Sequence, residues 1–461
     1  MKRLLLLALL IPLTWTGPAR AERAASEDVA WLHFDDAKAA LPTTENCAVS
    51  VGEDAYRGTG CLVITPPQPM KKVARVTFTL PDGIDLLKMG ALKMHLRATP
   101  TEESLSLRWL AEDAEGHMLL QRRFSHDQGA VWSAHEFPLA LWRWGNSQCG
   151  DWSEVRQLTL VVENRVEEVR VDELEFEPGA ARATPELIDE IAFAKSHVLT
   201  SERGGYRISS NAVEKLSAAD IEKVHARFDP IPRWIERVFG DAVKPLNDEP
   251  VQVLIFNDRE QYAGFGKRLG TAWRVTISPP SAGGYAIQDI ATSFVNTQAG
   301  VDRPVFFHET VHATAARMLR LMPGAAPHSW LQEGLANYLQ LCLFPQSLGL
   351  DTYPRLFKEG VGDKTYFQPL DKLLTERVEL RHYAQLASLT AWLIEKHNDW
   401  LKTITKEITG GGKLEDALKT CETDFAGMQT EWLAWGRAKF PADGKPKQHF
   451  DKPAEWQPDG K

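Results

Sequence analysis

Between residues 31 and 178 apolar side chains recur at every second position in short runs, and turn residues separate the runs. Residues 73–80 show the pattern: Ala74, Val76, Phe78 and Leu80 alternate with Arg75, Thr77 and Thr79 before Pro81-Asp82-Gly83. Period-2 alternation puts one face of a strand on a core and leaves the other wet. Further strands are predicted over 92–97, 105–110, 157–162 and 169–176, a rhythm that gives an all-β sandwich of jelly-roll type. The pattern changes at Pro178-Gly179-Ala180-Ala181-Arg182-Ala183-Thr184-Pro185, a short linker. Helical periodicity then takes over at 185–194 and 218–239. Strands are expected at 251–256, closed by Asn257-Asp258, and at 274–278, before Pro279-Pro280. Beyond Asp371 the pattern is mainly helical, clearest over 383–396, with a break at Gly410-Gly411-Gly412. The predicted class is α+β: a sandwich, then a mainly helical domain with a small mixed sheet.

The first residues change the picture of where the chain works. Lys2 and Arg3 precede an apolar run from Leu4 to about Trp15, and Ala19 and Ala21 follow at cleavage-site spacing. This is the anatomy of a secretory signal peptide, residues 1–21. The run is short of the roughly 20 apolar residues that cross a bilayer, and no other stretch is apolar enough, so no span is expected after cleavage. A secreted or periplasmic location follows. The divisions expected are a sandwich over 22–180, a second domain over 181–440 and a disordered tail over 441–461, rich in Pro, Lys, Asp and Gly.

Composition narrows the partners. With 43% hydrophobic and 25% charged residues the chain is ordinary globular protein. A formal charge of −9 and the lack of a long Lys/Arg cluster argue against nucleic acid. Five cysteines would meet an oxidising compartment, and Cys47 with Cys61, then Cys342 with Cys421, are the expected pairs. None forms a CxxC arrangement, which argues against cysteine-bound zinc.

The densest chemistry lies in His308-Glu309-Thr310-Val311-His312 and in Trp330-Leu331-Gln332-Glu333-Gly334-Leu335-Ala336, with 20 residues between His312 and Glu333. Histidines four apart on a helix lie one turn apart on one face, where both imidazoles reach one ion. Pro304 suits the first helical turn, residues 305–321 continue it, and Pro323-Gly324 ends it. This helix is apolar nearly all round and so reads as buried, where unpartnered ionisable groups are costly. A metal removes that cost. Zinc catalysis needs three protein ligands and one open position, and Glu309 beside the first histidine suits the role of general base. Ser329 and Gln332 have capping-box spacing, which would place Glu333 in the first turn of a second helix.

These two segments resemble the gluzincin metallopeptidases, whose pattern is HExxH followed by a glutamate ligand in a W-L-x-E-G-x-A segment. The resemblance implies Zn2+ held by His308, His312 and Glu333, with Glu309 as base and a peptide or protein as substrate. Asn337 stands where many gluzincins carry an acidic residue that orients a ligand histidine, and its amide oxygen would accept that bond without adding charge. Tyr383 looks like the tyrosine that starts a helix in gluzincin aminopeptidase-like domains and donates to the oxyanion; His382 and His328 are poorer candidates. Residues 283–287 suit an edge strand that aligns an extended substrate. The G-x-M-E-N segment of clan aminopeptidases is missing here, which favours endopeptidase over exopeptidase action. From about Val251 to Trp435 the likeness is nearest to peptidase-MA-like domains of secreted bacterial proteins.

Phe34-Asp35-Asp36, the Trp142-Arg143-Trp144 and Trp152-Ser153-Glu154-Val155 turns, and Val171-Asp172-Glu173-Leu174 resemble the galactose-binding-like jelly rolls found beside secreted hydrolases. On that resemblance Trp132, Trp142, Trp144 and Trp152 would form a sugar-stacking platform and bring a glycan partner, against the plainer reading of tryptophan as packing. Two alternatives to a peptidase therefore stand: a catalytically idle zincin fold that binds in the envelope, and a glycan-attachment protein that acts through the sandwich.

Overall fold

The computed structural model describes residues 29–35, 41–99, 104–127, 130–145, 148–194, 196–278, 283–296, 300, 302–359, 367–442 and 448–457. The expected signal peptide lies outside them. The amino-terminal half is a sandwich of two six-stranded sheets whose paired strands are all antiparallel. One sheet runs Ala48–Gly52, Cys61–Thr65, Val169–Pro178, Met89–Ala98, Ser133–Pro138, with Val29–Leu32 also on Val169–Pro178. The other runs Arg143–Trp144, Met118–His126, Leu105–Glu112, Gln157–Val162, Ala74–Thr79, Thr43–Glu45. Alternation explains the layers. Val76 and Phe78, Leu92, Met94 and Leu96, Leu158 and Leu160 all point between the sheets and are buried.

Strand register overturns the expected disulfides. Gly52 pairs with Cys61 and Ala48 with Thr65, so Cys47 and Cys61 sit at opposite ends of the same hairpin. All five cysteines are free thiols, and burial raises the pKa of the Cys342 thiol to about 12.

The second half is a five-stranded mixed sheet wrapped by helices. Its order is Leu199–Arg203, Tyr206–Ser210, Val251–Phe256, Ile290–Phe294, Gly284–Ile287, parallel across the middle pairs and antiparallel at both edges. Gly284–Ile287 is the edge strand. The single helix expected over 218–239 is two, Ala218–Phe228 and Pro230–Phe239, because Pro230 has no N–H and its ring clashes with the turn before it. No strand forms over 274–278. Arg274 instead caps the helix Arg259–Trp273 in the left-handed region (φ 54°), and the Val275 N–H returns to the Gly270 carbonyl.

Three helices face the edge strand: a histidine helix (Pro304–Leu319), a glutamate helix (Ser329–Leu343) and a tyrosine helix (Tyr383–Lys396). The histidine helix is buried from Phe306 to Arg317, as its all-round apolar pattern predicts. The glutamate and tyrosine helices pack closely. A Cβ on Gly334 would lie 2.2 Å from Thr390 Oγ1, so this residue must stay glycine for the two to meet.

The halves share apolar packing. Leu246, Ala316 and Met322 belong to the sandwich core although they lie in the second half. Arg320, at the end of the histidine helix, pairs with Glu154, and Arg122 donates to the carbonyls of Leu141 and Ala272. The linker is pinned as well, with Arg182 forked onto Asp151 at 2.8 Å through two nitrogens. The tail, expected to be disordered, holds described residues with definite contacts. Residues 448–457 are packed in place: Phe450 enters the core, Glu455 pairs with Arg237, and Trp456 Nε1 donates to the Arg227 carbonyl. Two aromatic side chains outweigh the polar composition there. No helix among the described residues is long and apolar enough to cross a membrane.

Candidate metal centre

His308 and His312 project from successive turns of the histidine helix, and their Nε2 atoms lie 3.0 Å apart. Glu333 reaches in from the glutamate helix, with Oε2 3.4 Å from His308 Nε2 and 3.5 Å from His312 Nε2. Three donors at tetrahedral positions, each about 2.0–2.1 Å from an ion, would be about 3.3–3.4 Å apart. The observed triangle is close to that. Two other His/carboxylate clusters occur among the described residues, His33 with Glu173 and Glu175 and Asp113 with Glu115 and His117, and each has an exposed histidine. Only the first trio sits in a cleft with both imidazoles buried.

Tautomers support the same assignment. Gln332 Oε1 lies 2.8 Å from His312 Nδ1, and a carboxamide oxygen only accepts, so Nδ1 carries the proton and Nε2 presents a lone pair. Gln332 Nε2 in turn donates to the backbone oxygens of His312 and Leu321, which settles which end of the amide faces the ring. The buried donor set therefore fits a divalent cation. Burial alone would lower the pKa of His312, but the Glu333 carboxylate overrides it and lifts the imidazole to about 9. Burial pushes Glu333 up, and the two histidines more than reverse this, holding it far below the usual carboxylate range.

Glu309 stands beside this trio, 8% exposed. Burial raises its pKa; His308, His312 and a hydrogen bond from the Ala286 backbone oppose the rise, and Glu333 adds to it. The Ala286 contact is possible because the edge strand runs against the histidine helix. A Cβ on Gly284 would lie 2.7 Å from Glu309 Cγ and 2.7 Å from Val305 Cγ2. Tyr383 begins its helix as expected. Its ring stacks on His308 at 6.1 Å between centroids, and its hydroxyl faces Glu333. Burial first, then that carboxylate, pushes the phenol well above its ordinary pKa. All these groups open onto one cleft of about 1020 Å³.

Several expectations fail in detail. Ser329 does not cap the glutamate helix with its side chain; His328 occupies the cap position, and Glu333 is the fifth helical residue rather than part of the first turn. Gln332 is diverted from capping to orienting His312. Asn337 does not touch a histidine: its Nδ2 donates to the Glu333 carbonyl at 2.8 Å and approaches Oε2 at 3.4 Å, so it steadies the third ligand. His328 is structural, accepting from the Met322 N–H and donating to the Ile408 carbonyl. His382 is buried and shifted down by burial, and it does not line the cleft. Trp142, Trp144 and Trp152 are 4–6% exposed and make no sugar platform. They pack at the sandwich edge facing the second domain, and Trp142 meets Trp152 edge to face. Trp132 alone of the four stays half-buried, beside Tyr56 and Arg97.

Arg317 escaped the sequence reading altogether. It leaves the histidine helix about one and a half turns beyond His312 and binds Asp289, Asn247 and the Glu249 carbonyl, which ties the turn of the edge hairpin to that helix. Neither this role nor that of Gln332 is visible in the sequence, because the partners lie 11 to 70 residues away.

No family model and no curated protein matches the chain. Among solved structures, the family 11 carbohydrate-binding module of a cellulosomal cellulase of Clostridium thermocellum is similar over 34% of this chain and 97% of its own, at 12% identity and a TM-score of 0.28. The CBM22-1 xylan-binding domain of Paenibacillus barcinonensis Xyn10C is similar over 35% of this chain and 98% of its own, at 14% identity and a TM-score of 0.26. An exo-β-agarase shares 13% identity over 48% of this chain and 31% of its own, at a TM-score of 0.29. These scores are too low to bear on fold or function.

Proposed function

We propose that the chain is a zinc-dependent peptidase of gluzincin type that cleaves within peptide chains. The convergence of His308 Nε2, His312 Nε2 and Glu333 Oε2 to within 3.0–3.5 Å of one another, with Glu309 beside them in an open cleft, carries this reading. A zinc ion held by this trio supplies Lewis acidity and lowers the proton affinity of water at its open position.

The chain's own residues do the rest. Glu309, its proton affinity raised by burial and its carboxylate steadied by the Ala286 N–H, takes the proton from water and hands it to the leaving amine nitrogen. Tyr383 keeps its proton at all ordinary pH values and donates a hydrogen bond to the oxyanion that develops on the scissile carbonyl. The edge strand Gly284–Ile287 offers main-chain groups to an extended substrate lying along the cleft.

Glu309→Gln separates this reading from a zincin fold that binds without turnover. The variant should retain zinc by elemental analysis while cleavage of a mixed peptide library falls by about 10²–10⁴-fold. A zinc-loaded wild type that cleaves nothing in such a library would leave the binding role in its place. A glycan role for the sandwich would have to rest on Tyr56 and Trp132, since the other three tryptophans are buried; a glycan array probed with Trp132→Ala beside wild type tests it.

A further inference from the structure

The cleft continues past the metal ligands. A second groove, of about 580 Å³, shares Ala286, Pro323 and Gly324 with it and follows the edge strand through Ile287 and Gln288 towards the sandwich. Trp273 and Val275 form one wall, and Trp144, Arg143 and Arg123 of the sandwich form the other. A peptide paired with the edge strand would leave the zinc ligands and enter this groove.

The positive charge in the groove is only partly matched. Arg123 lies directly opposite Arg108 across two antiparallel strands, an arrangement that costs free energy when like charges face each other. One carboxylate serves both: Glu163 is 3.0 Å from Arg108 and 3.8 Å from Arg123. Arg143, on the neighbouring short strand, pairs in register with Gln121, and no carboxylate contacts it among the described residues. Burial and the repulsion of Arg123 and Arg108 both act against its charge. Of the two guanidinium groups that line the groove, Arg123 thus shares a single acid with Arg108 behind it and Arg143 has no acid, in a chain whose overall charge is −9.

We infer that this groove holds an acidic stretch of the substrate peptide, with Arg143 and Arg123 binding Asp or Glu side chains several residues from the scissile bond. The inference rests on the peptidase reading for its substrate and adds a sequence preference to it. Guanidinium suits the role because it donates two parallel hydrogen bonds to a carboxylate and never loses its charge at ordinary pH.

The test uses the full zinc-loaded chain carrying Glu309→Gln, titrated with fluorescent peptides of equal length in which one Glu is stepped along an otherwise neutral sequence. Gln at the same position is the control. Fluorescence anisotropy at low ionic strength should give about tenfold tighter binding for Glu than for Gln at a restricted set of positions, and added salt should erode the difference. Arg143→Gln with Arg123→Gln should bring the ratio to about one. Arg143→Glu should turn the preference towards Lys at the same positions, a gain that misfolding cannot mimic. Equal binding of Glu and Gln peptides at every position, or a Glu preference that survives Arg143→Glu, overturns the inference. Cleavage by the chain with native Glu309 is scored separately. Cleavage without an acidic preference removes the groove assignment alone, and acidic binding without cleavage removes the peptidase reading and leaves the groove.

Discussion

Among the described residues two pairs of histidines touch, one in each half. In the sandwich, His126 Nδ1 lies 3.1 Å from His135 Nε2; in the helical half, His308 Nε2 lies 3.0 Å from His312 Nε2. The spacings agree and the chemistry does not. Burial drives His135 down to about 4, helped by His126, Arg274 and His95, so the His135 ring stays neutral at ordinary pH. His312 rises to about 9 against burial because Glu333 is beside it. His312 has also committed its Nδ1 proton to Gln332, so only the proton on Nε2 need leave for a cation to meet both imidazoles and a carboxylate oxygen at one point. Contact between imidazoles therefore does not define a cation site. A converging anion and a fixed tautomer do.

The largest effect should come from cutting each pair in turn. His308→Ala should abolish bound zinc, read by elemental analysis of the purified chain, while His135→Gln leaves the zinc content at about one equivalent. Equal zinc in the wild type and His308→Ala would show that the two pairs are alike and would remove the centre. A smaller effect isolates the tautomer. Gln332→Leu keeps all three ligands yet frees His312 Nδ1, and zinc affinity measured by chelator competition should fall by about 10–100-fold.

The smallest effect concerns the neutral pair. Because the folded pKa of His135 lies below the ordinary 6.5, its contribution to stability is complete above that pH and is lost as pH falls towards about 4. Partial exposure discounts the contribution to on the order of 1–2 kcal/mol. Urea denaturation between pH 7 and pH 4 should show the wild type losing that much more stability than His135→Gln. Parallel pH profiles would mean that His135 is protonated in the folded state too.

The contrast also shows which features a sequence makes visible. Helical spacing is local, so two histidines four apart had to share a face, and Pro304 marked where their helix begins. Glu333 was reachable because its surrounding segment is distinctive, although the helix begins at Ser329 without the side-chain cap that its spacing with Gln332 suggested. Strand rhythm was equally local, and residues 157–162 and 251–256 match their predicted bounds. Long-range partners had no such trace. Gln332 reads as a capping residue until Leu321 and His312 are folded against it, and nothing near Arg317 in the sequence announces Asp289 of the edge hairpin. The tryptophans misled for the same reason: Trp142 lies in a connection, Trp144 on a two-residue edge strand and Trp152 in a short helical turn, and nothing local reveals that a second domain covers them.

That covering has a further consequence. Leu246, Ala316 and Met322 complete the apolar interior of the sandwich from the other side of the junction, and Ala316 sits on the very helix that holds His308 and His312. The two halves are accordingly not beads on a string. Separating them near residue 180 would bare an oily scar on each fragment, and neither piece should behave as a tidy module in isolation.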